Sequence, residues 1–278
     1  DRVRDAIKSC DFVAVSDVTR ATDTAALADV LLPAQAWGEK DGTVTNSERR
    51  ISRQRSFLPI PEDVRSDWWM IGQVADRLGF GDAFAYESPA DIFREYARLT
   101  VAANENLDRD LDLGAMAAIT DAEYDAMAPT LWPQRAGTRE SEGRFFAEGG
   151  FFTPDRRGRF IAVEDRAPAA ATDIAHPFVL NTGRIRDQWH TMTRTGLSDR
   201  LSAHIGEPFV EISPADAMQE GIKLADIVRL TSDHGTMLAR ALITDRQVAG
   251  QLFAPMHWTD AYASAARVDA LITSTTDP

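Results

Sequence analysis

The 278-residue chain has one cysteine, Cys10. A single thiol closes no intrachain disulfide and holds neither a zinc knuckle nor an iron–sulfur cluster. Cys10 precedes an apolar run and reads as a small core residue; a reducing cytoplasm is compatible with it. No apolar run approaches the ~20 residues of a membrane helix, so no membrane insertion is expected. Positive charge is scarce: 30 Lys and Arg stand against 43 Asp and Glu, a net charge of -13. That balance argues against a nucleic-acid backbone as partner. The sequence contains no Gly-x-Gly-x-x-Gly, no phosphate-binding Walker loop, no His-Glu-x-x-His and no internal repeat. Its five histidines (176, 190, 204, 234 and 257) are far apart and show no zinc-ligand spacing. The chain opens Asp-Arg-Val-Arg-Asp, without an initiator Met or a signal-peptide apolar region. The expectation is a piece of a longer protein.

What is present is ample core material. Hydrophobic residues make up 44% of the chain, enough for one large or two medium domains. Phe12–Val15 reads as a buried parallel strand ending in Ser16-Asp17, 23–29 as helix-compatible, and Val30–Pro33 as a second strand. This spacing predicts an α/β unit, in which ligands bind beyond the carboxyl ends of strands. Ser16 and Asp17 are thereby candidate ligand contacts, although Asp17 taken alone is the residue type that caps the next turn. Residues 39–53 form a polar, arginine-dense run without a clear period, read as a long loop. Ser66-Asp67 starts a helix with Trp68, Ile71, Ala75 and Leu78 on one face and Gly79 as its stop. Asp67 is either a first-turn carboxylate or one that faces a ligand. Ser88-Pro89 starts a second helix, with Ile92, Tyr96 and Leu99 expected on the buried face. Thr120 and Glu123 form a capping box for a third. Residues 129–160 look irregular or hairpin-like. Arg166–Thr172 reads as a linker, which sets domains at 1–165 and 175–278. The second domain shows short strands at 178–180, 208–212, 227–231, 238–243 and 252–253, and a helix between Ser213-Pro214 and Gly221. That texture predicts a small closed β-barrel.

The densest chemistry lies in Thr182–Gly196. Three arginines, four threonines, one histidine and one tryptophan fall within these fifteen residues, after a short apolar strand and a Thr-Gly turn. Such donors beside a flat aromatic suit a large, phosphate-bearing ligand. A solvated basic loop capped by a core tryptophan is the other reading of the same residues.

Taken in order, FVAVSDVTRATDTAALADVLLPA, WGEKDGTVTNSERRISRQR, SDWWMIGQVADRLG and TGRIRDQWHTMTRTG resemble the C-terminal portion of the molybdopterin-guanine-dinucleotide oxidoreductases. This is the group of nitrate reductases and formate dehydrogenases, and the last segment is most similar to the assimilatory nitrate reductases. The resemblance implies the trailing part of a Rossmann-like α/β domain, with parallel strands and helices, followed by a double-psi β-barrel. It implies that Ser16 and Asp17 bind one guanine dinucleotide arm, that Lys40 lies on the cofactor, and that Asp67 hydrogen-bonds guanine. It implies that the loop from Thr182 to Thr191, with Gly183, Arg184, Gln188, Trp189 and His190, wraps the second pterin and its pyrophosphate. Asp269 stands where many relatives have an asparagine that contacts the pterin, and His257 lies near a substrate-channel position whose spacing differs here. The implied cofactor is molybdenum bis(molybdopterin guanine dinucleotide), with a 4Fe-4S cluster and a metal-ligating cysteine in an N-terminal part that this chain lacks. The implied metal ligands and catalytic residues are then outside the chain, which would be inactive alone. The implied partners are nitrate, that N-terminal part and an electron-donor protein or domain; the implied location is the cytoplasm. Two rivals are the same part of a formate dehydrogenase and a non-catalytic molybdopterin-binding protein.

Overall fold

The computed structural model describes residues 2–104, 109–137 and 144–273. The chain divides into two units, Asp1–Phe160 and Ile161–Pro278.

The first unit opens with helix α1 (Arg2–Lys8). Strands β1 (Ala14–Asp17) and β2 (Val30–Pro33) then pair in parallel, Ser16 opposite Leu32 and Asp17 opposite Pro33. The expected helix between them is a single 3-10 turn, Ala25–Leu27. Local side chains fasten this crossover: the Thr22 hydroxyl accepts from the Ala25 amide, and Asp29 Oδ2 accepts from the Val13 amide at 2.7 Å. The pair is not buried as expected. Phe12 is exposed, β1 alternates exposed and half-buried residues, and Cys10 is at the surface. A two-stranded sheet offers little surface to cover an apolar strand face.

The polar run at 39–53 is a hairpin, not a loop. Strands β3 (Gly42–Thr45) and β4 (Arg50–Gln54) are antiparallel, and β5 (Thr130–Leu131) pairs antiparallel on the other side of β4. Asn46 builds the turn: its Oδ1 accepts from the Glu48 and Arg50 amides at 3.0 Å, and Arg49 takes the left-handed φ of 73° that closes it. Helix α2 (Asp67–Ala75) follows Ser66 in extended conformation, and Gly79 at φ 88° ends the helical stretch beyond it. Helix α3 (Pro89–Ala102) has Asp91 Oδ2 accepting from the Ser88 amide, and α4 (Asp121–Ala126) has the full Thr120–Glu123 capping box. The buried face of α3 is Ala90, Phe93, Ala97 and Thr100; the expected Tyr96 and Leu99 are exposed. The face is one residue out of register because small residues let α3 approach Ile51, Leu113 and Tyr124 closely. The expected face of α2 also fails in part, since Ile71 and Leu78 are exposed. Residues 129–160 are irregular beyond β5, with stacked Phe146 and Phe151; 138–143 lie outside the described residues.

The second unit contains strands β6 (Val179–Gly183), β7 (Phe209–Ile212), β8 (Ile227–Ser232), β9 (Gly235–Ile243) and β10 (Gln251–Pro255), with helices α5 (Asp199–Ser202) and α6 (Pro214–Gln219). One mixed sheet has the order β6-β10-β7-β9-β8. The β6–β10 and β7–β9 ladders are parallel; β7–β10 and β8–β9 are antiparallel. Among the described residues no ladder joins β8 to β6, so the sheet is open by hydrogen bonding where closure was expected. Its core gathers Met192, Val210, Leu230, Met237, Ala254, Trp258 and Leu271. Among the described residues, no helix in either unit is long and apolar enough to cross a membrane.

Candidate cofactor-binding site

In the first unit the end of β2 carries the start of α2. The Arg65 amide donates to Pro33 O, and the Gln35 amide donates to Arg65 O, both at 3.1 Å. This fixes Asp67, in the first turn of α2, beside the strand ends. Ser16 and Asp67 are the two polar residues lining a cleft of about 650 Å³, otherwise walled by Leu32, Met70, Val74 and Phe80 among others. Lys40 follows a 3-10 turn (Trp37–Glu39), and its ammonium donates to Asp67 Oδ2 at 2.6 Å. Ser16, Lys40 and Asp67 are thus brought together. Asp17 is not: its Oδ1 accepts from the Thr19 amide at 3.2 Å, the turn-capping role.

In the second unit, β6 delivers Thr182 and Gly183 opposite Ala254 and Pro255 of β10. The chain then leaves the sheet in a tight loop. His190 and Met192 take φ of 43° and 60°, a region that non-glycine residues rarely occupy. Met192 is 3% exposed and anchors the loop in the core. Gln188, 4% exposed, accepts from the Thr195 hydroxyl at 2.6 Å, and that hydroxyl accepts from the Trp189 amide. The loop is therefore built from within, and its functional groups face outward. Trp189 is 56% exposed, with the Arg184 guanidinium 4.2 Å from its ring centre. His190 meets the same indole edge-on at 4.6 Å, and Thr191 is exposed.

The three arginines differ in charge environment. Arg186 is paired with Asp187 at 2.9 Å, and Asp187 also meets the His204 ring. The Arg186 guanidinium first, and then His204, hold the Asp187 carboxyl below its usual range, against the opposing effect of its partial burial. Arg184 and Arg194 have no carboxylate partner among the described residues. Arg184, a cation beside an exposed indole and without a carboxylate partner among the described residues, fits a ligand that carries phosphate and a flat ring.

Asp269 does not join this group; its carboxylate pairs with Arg267 Nε at 3.0 Å. His257 is fully buried and bonded to backbone, rather than on an open channel wall. Sequence reasoning missed Thr195, Tyr262 and His204. Thr195 lay inside the flagged stretch, but its inward hydrogen bonds have no sequence signature.

The first 77 residues match the Molybdopterin oxidoreductase model, and residues 178–278 match the Molydopterin dinucleotide binding domain. The chain belongs to the molybdopterin oxidoreductases. It is 45% identical to a nitrate reductase of Klebsiella oxytoca over 99% of this chain and 31% of that protein. It is 34% identical to a nitrate reductase of Shewanella frigidimarina, over 100% of this chain and 32% of that protein. It is 37% identical to an F420-dependent formate dehydrogenase subunit alpha of Methanocaldococcus jannaschii, over 93% and 36%. The chain therefore spans about a third of the length of these relatives. Among solved structures, the acetylene hydratase of Pelobacter acetylenicus shares the fold, with a TM-score of 0.59 at 15% identity over 88% of this chain and 33% of that one. Within the family, the Thr182–Gly196 loop lies in the matched dinucleotide-binding domain, and the Ser16, Lys40 and Asp67 group lies in the matched oxidoreductase segment.

Proposed function

We propose that this chain is the C-terminal, cofactor-holding part of a cytoplasmic, assimilatory molybdenum nitrate reductase. The observation that carries the reading is the Arg184–Trp189 pair: a cation without a carboxylate partner among the described residues, stacked on an exposed indole inside a dinucleotide-binding domain. The identity to nitrate reductases over nearly the whole chain supports the substrate. On this reading the domains are 1–165 and 175–278, and the open five-stranded sheet is the body of a double-psi β-barrel.

Each residue then has a task that its chemistry suits. Asp67 accepts from the paired N–H donors of a guanine. Lys40, already held by Asp67, places positive charge beside the same ligand, and Ser16 offers a hydroxyl at the strand end. Arg184 and Arg194 neutralise a pyrophosphate, while Trp189 and His190 present flat surfaces with polar edges to the second dinucleotide arm. Thr182, Gly183, Gln188 and Thr191 shape the wrap. When bound, molybdenum bis(molybdopterin guanine dinucleotide), held on this chain by Ser16, Lys40, Asp67 and the Thr182–Thr191 loop, would supply two-electron redox chemistry for nitrate, with a 4Fe-4S cluster expected in the N-terminal part. The chain itself binds, orients and excludes water.

The test is the full-length enzyme supplied with a reduced viologen dye and nitrate. Stoichiometric nitrite supports the proposal; no nitrite, together with oxidation of formate to carbon dioxide in a parallel assay with formate and oxidised viologen as acceptor, replaces it. The formate reading is the second one, favoured by the 37% identity to a formate dehydrogenase subunit.

A further inference from the structure

His257 follows β10 and is 0% exposed, yet both its ring nitrogens reach the Thr182–Gly196 loop. Nε2 accepts from the Ile185 amide at 2.9 Å. Nδ1 lies 2.6 Å from the His190 carbonyl oxygen. A carbonyl only accepts, so Nδ1 carries the proton and Nε2 the lone pair; these two partners assign a single neutral tautomer. The bonds join residues 72 and 67 positions apart and grip the loop at two places. Each place adjoins one member of the stacked pair, since Arg184 precedes Ile185 and Trp189 precedes His190. Five residues beyond His257, the Tyr262 hydroxyl donates to Met192 O at 2.9 Å. His190 and Met192 are the two loop residues in left-handed conformation, which persists only where surrounding contacts over-determine it. The clamp therefore bonds the carbonyl of each strained residue.

We propose that His257, backed by Tyr262, is a positioning residue: by pinning the backbone beside Arg184 and Trp189 it presents both side chains to the anionic dinucleotide. The proposal rests on the reading of this loop as a dinucleotide cradle. It makes the clamp, rather than the arginines alone, a determinant of cofactor retention.

The experiment compares His257→Phe, His257→Gln and His257→Asn in the full-length enzyme, with Arg184→Ala as reference. Hydrogen exchange of peptides covering 184–196 reads the clamp; molybdenum and released guanine nucleotide per chain read retention. Phenylalanine fills the space and keeps neither bond, so exchange across the loop accelerates by about tenfold or more and retention falls severalfold. Glutamine can keep the acceptor for Ile185, and asparagine the donor for His190, so each rescues one half of the loop. Unchanged exchange in His257→Phe overturns the clamp. Faster exchange with full retention overturns the positioning role. Should the Phe variant not accumulate, the Gln and Asn variants decide: identical exchange patterns in both overturn the proposal. Full retention in Arg184→Ala would instead sink the cradle reading, and exchange in the His257 variants would still report the clamp.

Discussion

At the scale of single residues, the loop separates side chains that bind from side chains that build. Arg184 is exposed and touches only the indole among its described polar and ring contacts, so its removal should cost the fold little. Arg184→Ala is expected to change stability by no more than about 0.5 kcal/mol. Loss of a charge-assisted contact to phosphate should lower cofactor content of the full-length enzyme by about tenfold. Chemical denaturation and molybdenum analysis on the same preparation check this; equal losses would make Arg184 structural. Asp187 behaves oppositely. Its carboxyl is held below the ordinary 3.8, mainly by Arg186. A depressed folded pKa stabilises above the unfolded value and is lost as pH falls through the folded one. Loop peptides at 184–196 should therefore loosen only as pH drops below about 4, the unfolded range. Asp187→Asn should remove that dependence while leaving exchange at neutral pH less protected than in the parent.

Elements show why some of this was legible and some was not. The capping signals at Thr120–Glu123 and Ser213-Pro214 located α4 and α6, because caps are local chemistry. The hairpin β3–β4 escaped notice because its core contact is one residue, Ile51, while its other anchor is an arginine. Arg53 is 3% exposed at the side chain, stacks on Tyr124 at 4.0 Å, and donates to Asp41, Asp125 and the Gly42 carbonyl. An arginine in a polar run reads as surface until its partners at 124 and 125 are known. Arg53→Ala should cost about 2 kcal/mol, from the lost bonds to Asp41, Asp125 and the Gly42 carbonyl and the lost packing of the stem. Arg53→Lys should recover less than half, because an ammonium cannot reproduce the planar fork. The loop offers a parallel case. A Cβ on Gly196 would sit 2.5 Å from the Tyr262 ring. The ring can swing away only by giving up Met192 O. Gly196→Ala should cost about 1 kcal/mol, one hydrogen bond, and much less in a Tyr262→Phe background. Additive losses would show that the ring clash, not the bond, sets the cost.

For the whole molecule, the sequence made the positions of the strands in the second unit readable, because short apolar runs and turn residues report themselves. It did not reveal which faces are covered. Some apolar positions expected inside, Phe12 before β1 and Ile71 of α2 among them, are at the surface, and no periodicity within a segment can say what lies against it. The two sets of candidate contacts, around Asp67 and around Arg184, come from different units with separate hydrophobic cores. Neither set includes a thiolate, and Cys10 is exposed on the turn after α1. On the proposed reading, the metal ligands are expected in the part of the enzyme beyond the third that aligns with these relatives. The isolated chain, given the molybdenum cofactor, a viologen reductant and nitrate, is expected to form no nitrite above the protein-free rate. Guanine nucleotide should still protect loop 184–196 from hydrogen exchange, since the cradle residues need no metal to meet a pyrophosphate. Nitrite turnover by the isolated chain would place the chemistry within these 278 residues; absence of both turnover and protection would remove the cradle from the loop.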